Sequence, residues 1–211
     1  KVSVQLDVGD VSGRIENITP DQDVLGLPLT FSFVGEKLKG VQSLHLAGTL
    51  NHILPDSAKD SVQLKARGYQ VQNVVLSDSA DWPVTLGAAL ADMDLQVTAS
   101  GPALAGAMTA SLKSVHLTVG KQDSSNQFVK AIGAALSDVS AFTAKAEVTG
   151  TLDRYEVHLT SDLDNVLKEA AGTLVQGYAD RFKRELETAV MAKVGGPLNE
   201  LKGSFGGLGG V

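Results

Sequence analysis

The sequence predicts an α+β domain. Its mainly antiparallel, curved β-sheet is built of meandering strands, with one short helix and a long C-terminal amphipathic helix packed on the sheet. Three observations predict this. Apolar and polar residues alternate from Val2 to Leu159, the period of strands with one apolar face. The period turns helical at Phe128–Val139 and again at Leu163–Val194. Gly-marked turns separate the strands, and no Pro/Ser-rich linker divides the chain.

The elements follow in order. Val2, Val4, Leu6 and Val8 alternate with Ser3, Gln5 and Asp7, and Val11 to Ile18 continues extended. Thr19-Pro20-Asp21 is a turn, since proline fixes φ and aspartate bonds nearby backbone. Leu29, Phe31 and Phe33 form the next strand, Gly35 to Gly40 a hairpin loop, and Val41 to Leu50 a strand. After the polar loop Pro55–Asp60, Val62, Leu64 and Ala66 alternate, and Gly68 separates them from a strand over Tyr69–Leu76. The loop Ser77–Pro83 carries Trp82. Val84 to Ala91 reads as strand or short helix, and Met93, Leu95, Val97 and Ala99 alternate again. Gly101-Pro102 is a turn before a strand over Ala107–Val119.

Phe128, Ile132, Ala135 or Leu136, and Val139 then mark a short helix that Ser124 or Ser125 can cap. Phe142–Val148 and Tyr155–Leu159 are strands joined by a turn with Gly150, where positive φ is expected. From Leu163 a stripe of Val166, Leu167, Ala170, Leu174, Tyr178, Phe182, Leu186 and Val190 predicts the long helix, started by Ser161 and Asp164 and stopped by Gly195-Gly196-Pro197. We expect a single strand-rich domain over residues 1–202, closed by this helix, and a frayed Gly-rich tail over 203–211.

Composition restricts the function. Net charge is −6, from 18 Lys+Arg and 24 Asp+Glu, with no basic run, which argues against a nucleic-acid partner. Aromatics are 5%, so the core must be aliphatic. The absence of cysteine excludes disulfides, thiolate ligands and thiol nucleophiles. No apolar run reaches the ~18 residues that cross a bilayer. A chain opening on Lys1, directly in a strand pattern, reads as an excised domain or a processed protein, with any membrane segment outside it.

Candidate chemistry is sparse. Gly35…Leu44-His45-Leu46, Gly101…Val115-His116-Leu117 and Gly150…Val157-His158-Leu159 share a loose pattern of similar hairpins. The three histidines would form a metal site only if their strands converged, and no carboxylate sits at ligand spacing, so each reads as a solvent-facing sheet residue. His52 reads as a surface residue near a strand end. Asp162 and Asp164 read as favourable charge at a helix start rather than a calcium loop. Asp92 and Asp94 share one polar face and read as solvated. No G-x-S-x-G elbow or phosphate cradle occurs. We therefore expect no catalytic residue, cofactor or metal. The stripe reads first as core packing across the sheet; in the alternative, a lid over an apolar groove or an interfacial helix on a membrane, Leu174, Tyr178, Phe182 and Leu186 form the candidate apolar ligand or lid face.

Gly13-Arg14-Ile15-Glu16-Asn17-Ile18-Thr19 with Asp21-Gln22, Leu27-Pro28-Leu29-Thr30-Phe31, and Thr160-Ser161-Asp162-Leu163-Asp164-Asn165 resemble an uncharacterised family of AsmA-like bacterial proteins. The resemblance implies a periplasmic, strand-rich, non-enzymatic domain, tethered to the inner membrane by a segment outside this sequence. It also implies possible lipid binding or passage along an apolar sheet surface. The alternative is a structural or interaction scaffold with a filled core and no ligand.

Overall fold

The structure is a computed structural model that describes residues 2–6, 9–54, 57–77, 83–120, 127–151, 153–166, 184, 185, 187 and 188. Nine strands form one antiparallel sheet in strict chain order: β1 (Val2–Leu6), β2 (Gly9–Glu16), β3 (Leu29–Leu38), β4 (Val41–Asn51), β5 (Lys59–Ser77), β6 (Val84–Ser100), β7 (Ala103–Val119), β8 (Ala141–Thr151) and β9 (Tyr155–Ser161). Helix α1 (Gln22–Leu25) lies between β2 and β3, and α2 (Gln127–Ser137) between β7 and β8. Residues 163–166 add one helical turn.

The alternation sets the register. Leu44, Leu64, Met93, Met108 and Ala146 stand on one face, and each strand places its apolar residues opposite those of its neighbours, as in Leu46↔Leu64, Leu64↔Leu95 and Leu95↔Met108. A one-residue slip would turn every one of these side chains to water. The outer face is mostly polar, which an antiparallel sheet tolerates.

The strands are longer than their glycines suggest. β5 runs 19 residues through Gly68, which sits at φ 61° in a bulge between Ala66 and Tyr69 rather than in a turn. β3 likewise runs through Gly35 to Leu38, so the expected loop over Gly35–Gly40 shrinks to Lys39-Gly40. Val84 to Ala91 is strand, continuous with the Met93–Ala99 stretch. Further register shifts at Val75/Ser77 and Leu86/Ala88/Leu90, with Asn73 (φ 52°) and Ser114 (φ 50°), lie in the same half of the sheet. Bulges bend strands and increase their twist.

The core occupies that half. Ile132 and Leu136 of α2 and Leu163 of the helical turn are fully buried among Val84, Leu86, Leu112, Val115, Val119, Phe142 and Leu159. Alanines at 89, 91, 110 and 146 contribute little height on the sheet, leaving depth for the larger side chains above them.

The expected long C-terminal helix is corrected. Among the described residues the helices are short, and α2 and Leu163 close the core. Leu174, Tyr178, Phe182 and Leu186 lie outside the described residues, as do Trp82, Ser124, Ser125 and the tail over 203–211.

Candidate functional site

The apolar inner face is the feature with the most chemical content. Its two halves differ in cover. Near α2 the inner residues are buried, including Ala91, Leu112 and Phe142. Away from α2 most are half-buried, among them Ile15, Leu29, Phe31, Phe33, Leu44, Leu46, Leu50, Val62, Leu64, Leu95 and Val97, while Val11, Ala66 and Leu104 are buried. None of these belongs to the closed core cluster.

Glycines flatten this half. Gly13 pairs with Phe33 and Gly48 with Phe31, and a Cβ at either glycine would collide with the ring of its partner. The rings therefore lie over the glycines, their centroids 6.3 Å apart. This is aromatic cover of sheet glycines. The result is a low apolar surface where upright rings would have filled the space.

The turns divide by end. The β1–β2, β3–β4 and β5–β6 connections and α2 lie at the covered end. The β2–β3, β4–β5, β6–β7 and β8–β9 connections lie at the other. There Asn17 donates from Nδ2 to the Pro28 carbonyl at 2.9 Å, and the His52 amide donates to Gln22 Oε1 at 2.8 Å. Those bonds hold the β2–β3 and β4–β5 connections together.

The histidines do not converge. His45 on β4, His116 on β7 and His158 on β9 are all exposed on the outer face of non-adjacent strands. His45 Nε2 meets Ser32 Oγ at 3.2 Å, and His116 Nδ1 lies 3.1 Å from its neighbouring Ser114 carbonyl. Among the described residues no three His, Asp or Glu side chains form a cluster that could hold a metal ion. His52, a surface residue just past the end of β4, meets Asp60 at 2.9 and 3.0 Å, and Asp60 also accepts the Asn51 amide.

Asp92 and Asp94 are more than solvated. Arg67 grips Asp94 through Nη2 at 2.8 and 3.0 Å and donates from Nη1 to the Ala66 and Met93 carbonyls. Asp92 accepts the Gly68 amide at 2.9 Å and Lys113 Nζ at 3.0 Å. The Gly68 amide, then Lys113, hold its carboxyl below the usual carboxylate range. Arg67 and Asp92 thus bond backbone groups at the bulge around Gly68, while Asp94 and Lys113 hold those two side chains in place. Their exposure makes them a structural clamp rather than an acid–base pair.

Asp162 also has a structural task. Its carboxylate accepts the Thr143 amide at 2.9 and 3.0 Å, while Ser161 Oγ accepts the Leu163 amide. Together they fasten the helical turn to β8, which places Leu163 in the core. A separate open trough of about 620 Å³ on the outer face of β2 and β3 is lined by Ser12, Arg14, Glu16, Thr30, Ser32 and Val34. Its lining holds an Arg14–Glu16 pair and hydroxyls, with no convergent charge.

The residues named from the sequence as a ligand or lid face, Leu174, Tyr178, Phe182 and Leu186, lie outside the described residues, while the apolar sheet surface was expected without named residues. The signal was present in the inward positions of β2 to β6, which are almost all Leu, Val, Ile, Phe, Ala or Gly. Comparison of the chain with protein-family models, curated proteins and solved structures finds no match.

Proposed function

We propose that this domain is a non-enzymatic module of the bacterial cell envelope that holds lipid acyl chains against its apolar sheet face. The observation that carries it is the half-buried inner surface from Ile15 across to Val97, beside a core that is fully closed elsewhere. A domain that needed only to be stable would gain by covering that surface, at roughly 25 cal/mol per Å².

Dimensions support the reading. The stretch Met93–Ala99 spans roughly 20 Å at about 3.4 Å per residue. An acyl chain fills about half of the ~30 Å hydrocarbon core of a bilayer. The surface is thus long enough for one chain to lie along a strand. The AsmA-like resemblance at Gly13–Thr19 and Leu27–Phe31 supports a periplasmic setting and a tether to the inner membrane. It falls on the strands and loop that carry the open half of the face.

The test is native mass spectrometry of protein purified from bacteria, with uptake of a fluorescent fatty acid or phospholipid. Lipid should co-purify, and Leu64→Asp with Leu95→Asp should abolish uptake. Gln63→Asp, on the outer face, should not. No co-purified lipid and no uptake by the wild type would support the scaffold reading instead.

A further inference from the structure

The open end of the sheet carries an unusual concentration of exposed aliphatic side chains. Val24 is 83% exposed, Ile18 73% and Leu54 67%, with Leu25 and Leu27 also exposed. All five lie in the β2–β3 and β4–β5 connections. Among the described residues the other exposed large apolar side chains, Val34, Tyr69, Val75 and Leu90, are dispersed along three strands.

We infer that this end docks on a bilayer surface, inserting Ile18, Val24, Leu25, Leu27 and Leu54 at the level of the headgroups and upper acyl chains. The inference rests on the lipid-holding reading above and gives it a place of exchange. Four observations point to a bilayer.

The five side chains are purely aliphatic, and they protrude from loops rather than forming a flat patch. Protein interfaces are anchored by Trp, Tyr and Arg seated in complementary pockets. A bilayer needs apolar area without shape complementarity.

The loop backbone is satisfied while its side chains face outward. The Leu25 amide donates to Asp21 O at 3.1 Å and the Gly26 amide to Gln22 O at 2.8 Å, with Gly26 in the left-handed conformation at φ 70°. The buried Gln22 ties α1 to the β4–β5 connection through the His52 amide, so the two apolar groups form one preformed tip. Little ordering entropy remains to be lost on docking.

Charge decides the mode of binding. Asp21 and Asp23 flank the inserted residues, and α1 has no basic residue in its last turn. Attraction to anionic lipid cannot hold this tip, so adsorption is apolar and insensitive to salt.

Finally, the tip is continuous with the inner face. Leu27 is followed after Pro28 by Leu29, which pairs with Leu50 at the open margin of that face. An acyl chain leaving the bilayer beside Leu27 meets apolar side chains at each step towards Leu46 and Leu64. At the covered end α2 blocks such a path.

The experiment is co-sedimentation with phosphatidylcholine vesicles, and with the same vesicles containing phosphatidylglycerol, at low and high salt. The comparison variant is Val24→Ser/Leu25→Ser/Leu54→Ser. These positions are exposed, and unchanged circular dichroism and melting temperature verify its fold. Wild type should bind both vesicle types, no better with phosphatidylglycerol and with little effect of salt. The triple variant should lose roughly tenfold or more in partitioning. It should still take up a monomeric fluorescent fatty acid from solution, because the inner face is untouched. Equal sedimentation of variant and wild type, or no sedimentation of wild type, overturns the docking inference even where fatty-acid uptake persists. Loss of a wild-type dimer in the variant, with vesicle binding unchanged, overturns it in favour of self-association. Vesicle binding without any fatty-acid uptake leaves the docking standing and removes the lipid-holding reading.

Discussion

Leu136→Ala tests the layer that closes the covered end. Leu136 is fully buried in α2, against a sheet whose neighbouring positions include Ala89, Ala91 and Ala110. The substitution removes three carbons from a site with little room to collapse, because both the strand backbone and the rest of α2 are held. Leu→Ala changes in cores cost about 2–5 kcal/mol, and a middle value of about 3 fits this site. With a urea m-value near 2.5 kcal/mol/M for a chain of this size, the midpoint should fall by about 1.2 M at unchanged m. Lys130→Ala, on the exposed side of the same helix, should stay within about 0.5 kcal/mol of wild type, or about 0.2 M. A Leu136→Ala shift no larger than the Lys130→Ala shift would mean that α2 does not seal the core. The assignment of a covered and an open end would then be lost with it.

Three further outcomes follow from particular contacts. Gly150 adopts φ 132° at the β8–β9 hairpin, where an added Cβ would meet the Arg154 carbonyl and the Tyr155 backbone. Gly150→Val should therefore cost more than ~1 kcal/mol and lower the melting temperature by at least about 2 °C, whereas an unmoved transition would show an ordinary turn. Gly48→Ala should cost about 1–3 kcal/mol by displacing the Phe31 ring and crowding the Ser61 carbonyl. In a double-mutant cycle Phe31→Ala should recover part of that cost, and strict additivity would show that ring and glycine are not in register. Asp92 is held below its ordinary value of 3.8, so folding favours its ionised form. Its contribution is complete above that ordinary value and is lost as pH falls through the lower folded one. Urea midpoints measured against pH should fall more steeply below pH ~4 for wild type than for Asp92→Asn, and parallel curves would show that the clamp does not depend on the charge.

The period-two alternation made the strands legible, since it is a local property of residues such as Leu29, Phe31 and Phe33. The positive φ expected at Gly150 is present because a short hairpin leaves few other conformations. Gly68 misled, since a glycine between two apolar runs has the same signature in a turn and in a bulge. What separates the two cases is the neighbouring strand β6, whose Asp92 accepts the Gly68 amide and whose Asp94 holds the Arg67 guanidinium. Such pairings depend on register, which no local window contains. The C-terminal stripe, read from a clean helical period, falls almost wholly outside the described residues. The inner face was legible strand by strand, but its division into covered and open halves depends on where α2 and Leu163 land. The exposed tip carried a faint sign in Val24-Leu25-Gly26-Leu27, an apolar run where a polar loop is usual.

Strict chain order has a consequence for how the molecule forms. Every strand pairs with its immediate predecessor and successor, and among described elements the longest connection is the one containing α2. The closure entropy of each step is therefore small, and pairing can spread from one hairpin to the next like a zipper. The long β5–β6–β7 ribbon, with its clamp at Arg67, Asp92, Asp94 and Lys113, is the natural starting segment. Growth outward from it would reach β1 and β9 last, leaving the two margins of the sheet as its least cooperative parts. In hydrogen exchange, amides of β6 should outlast those of β2 and β9, and the open apolar half would be completed after the core beneath α2.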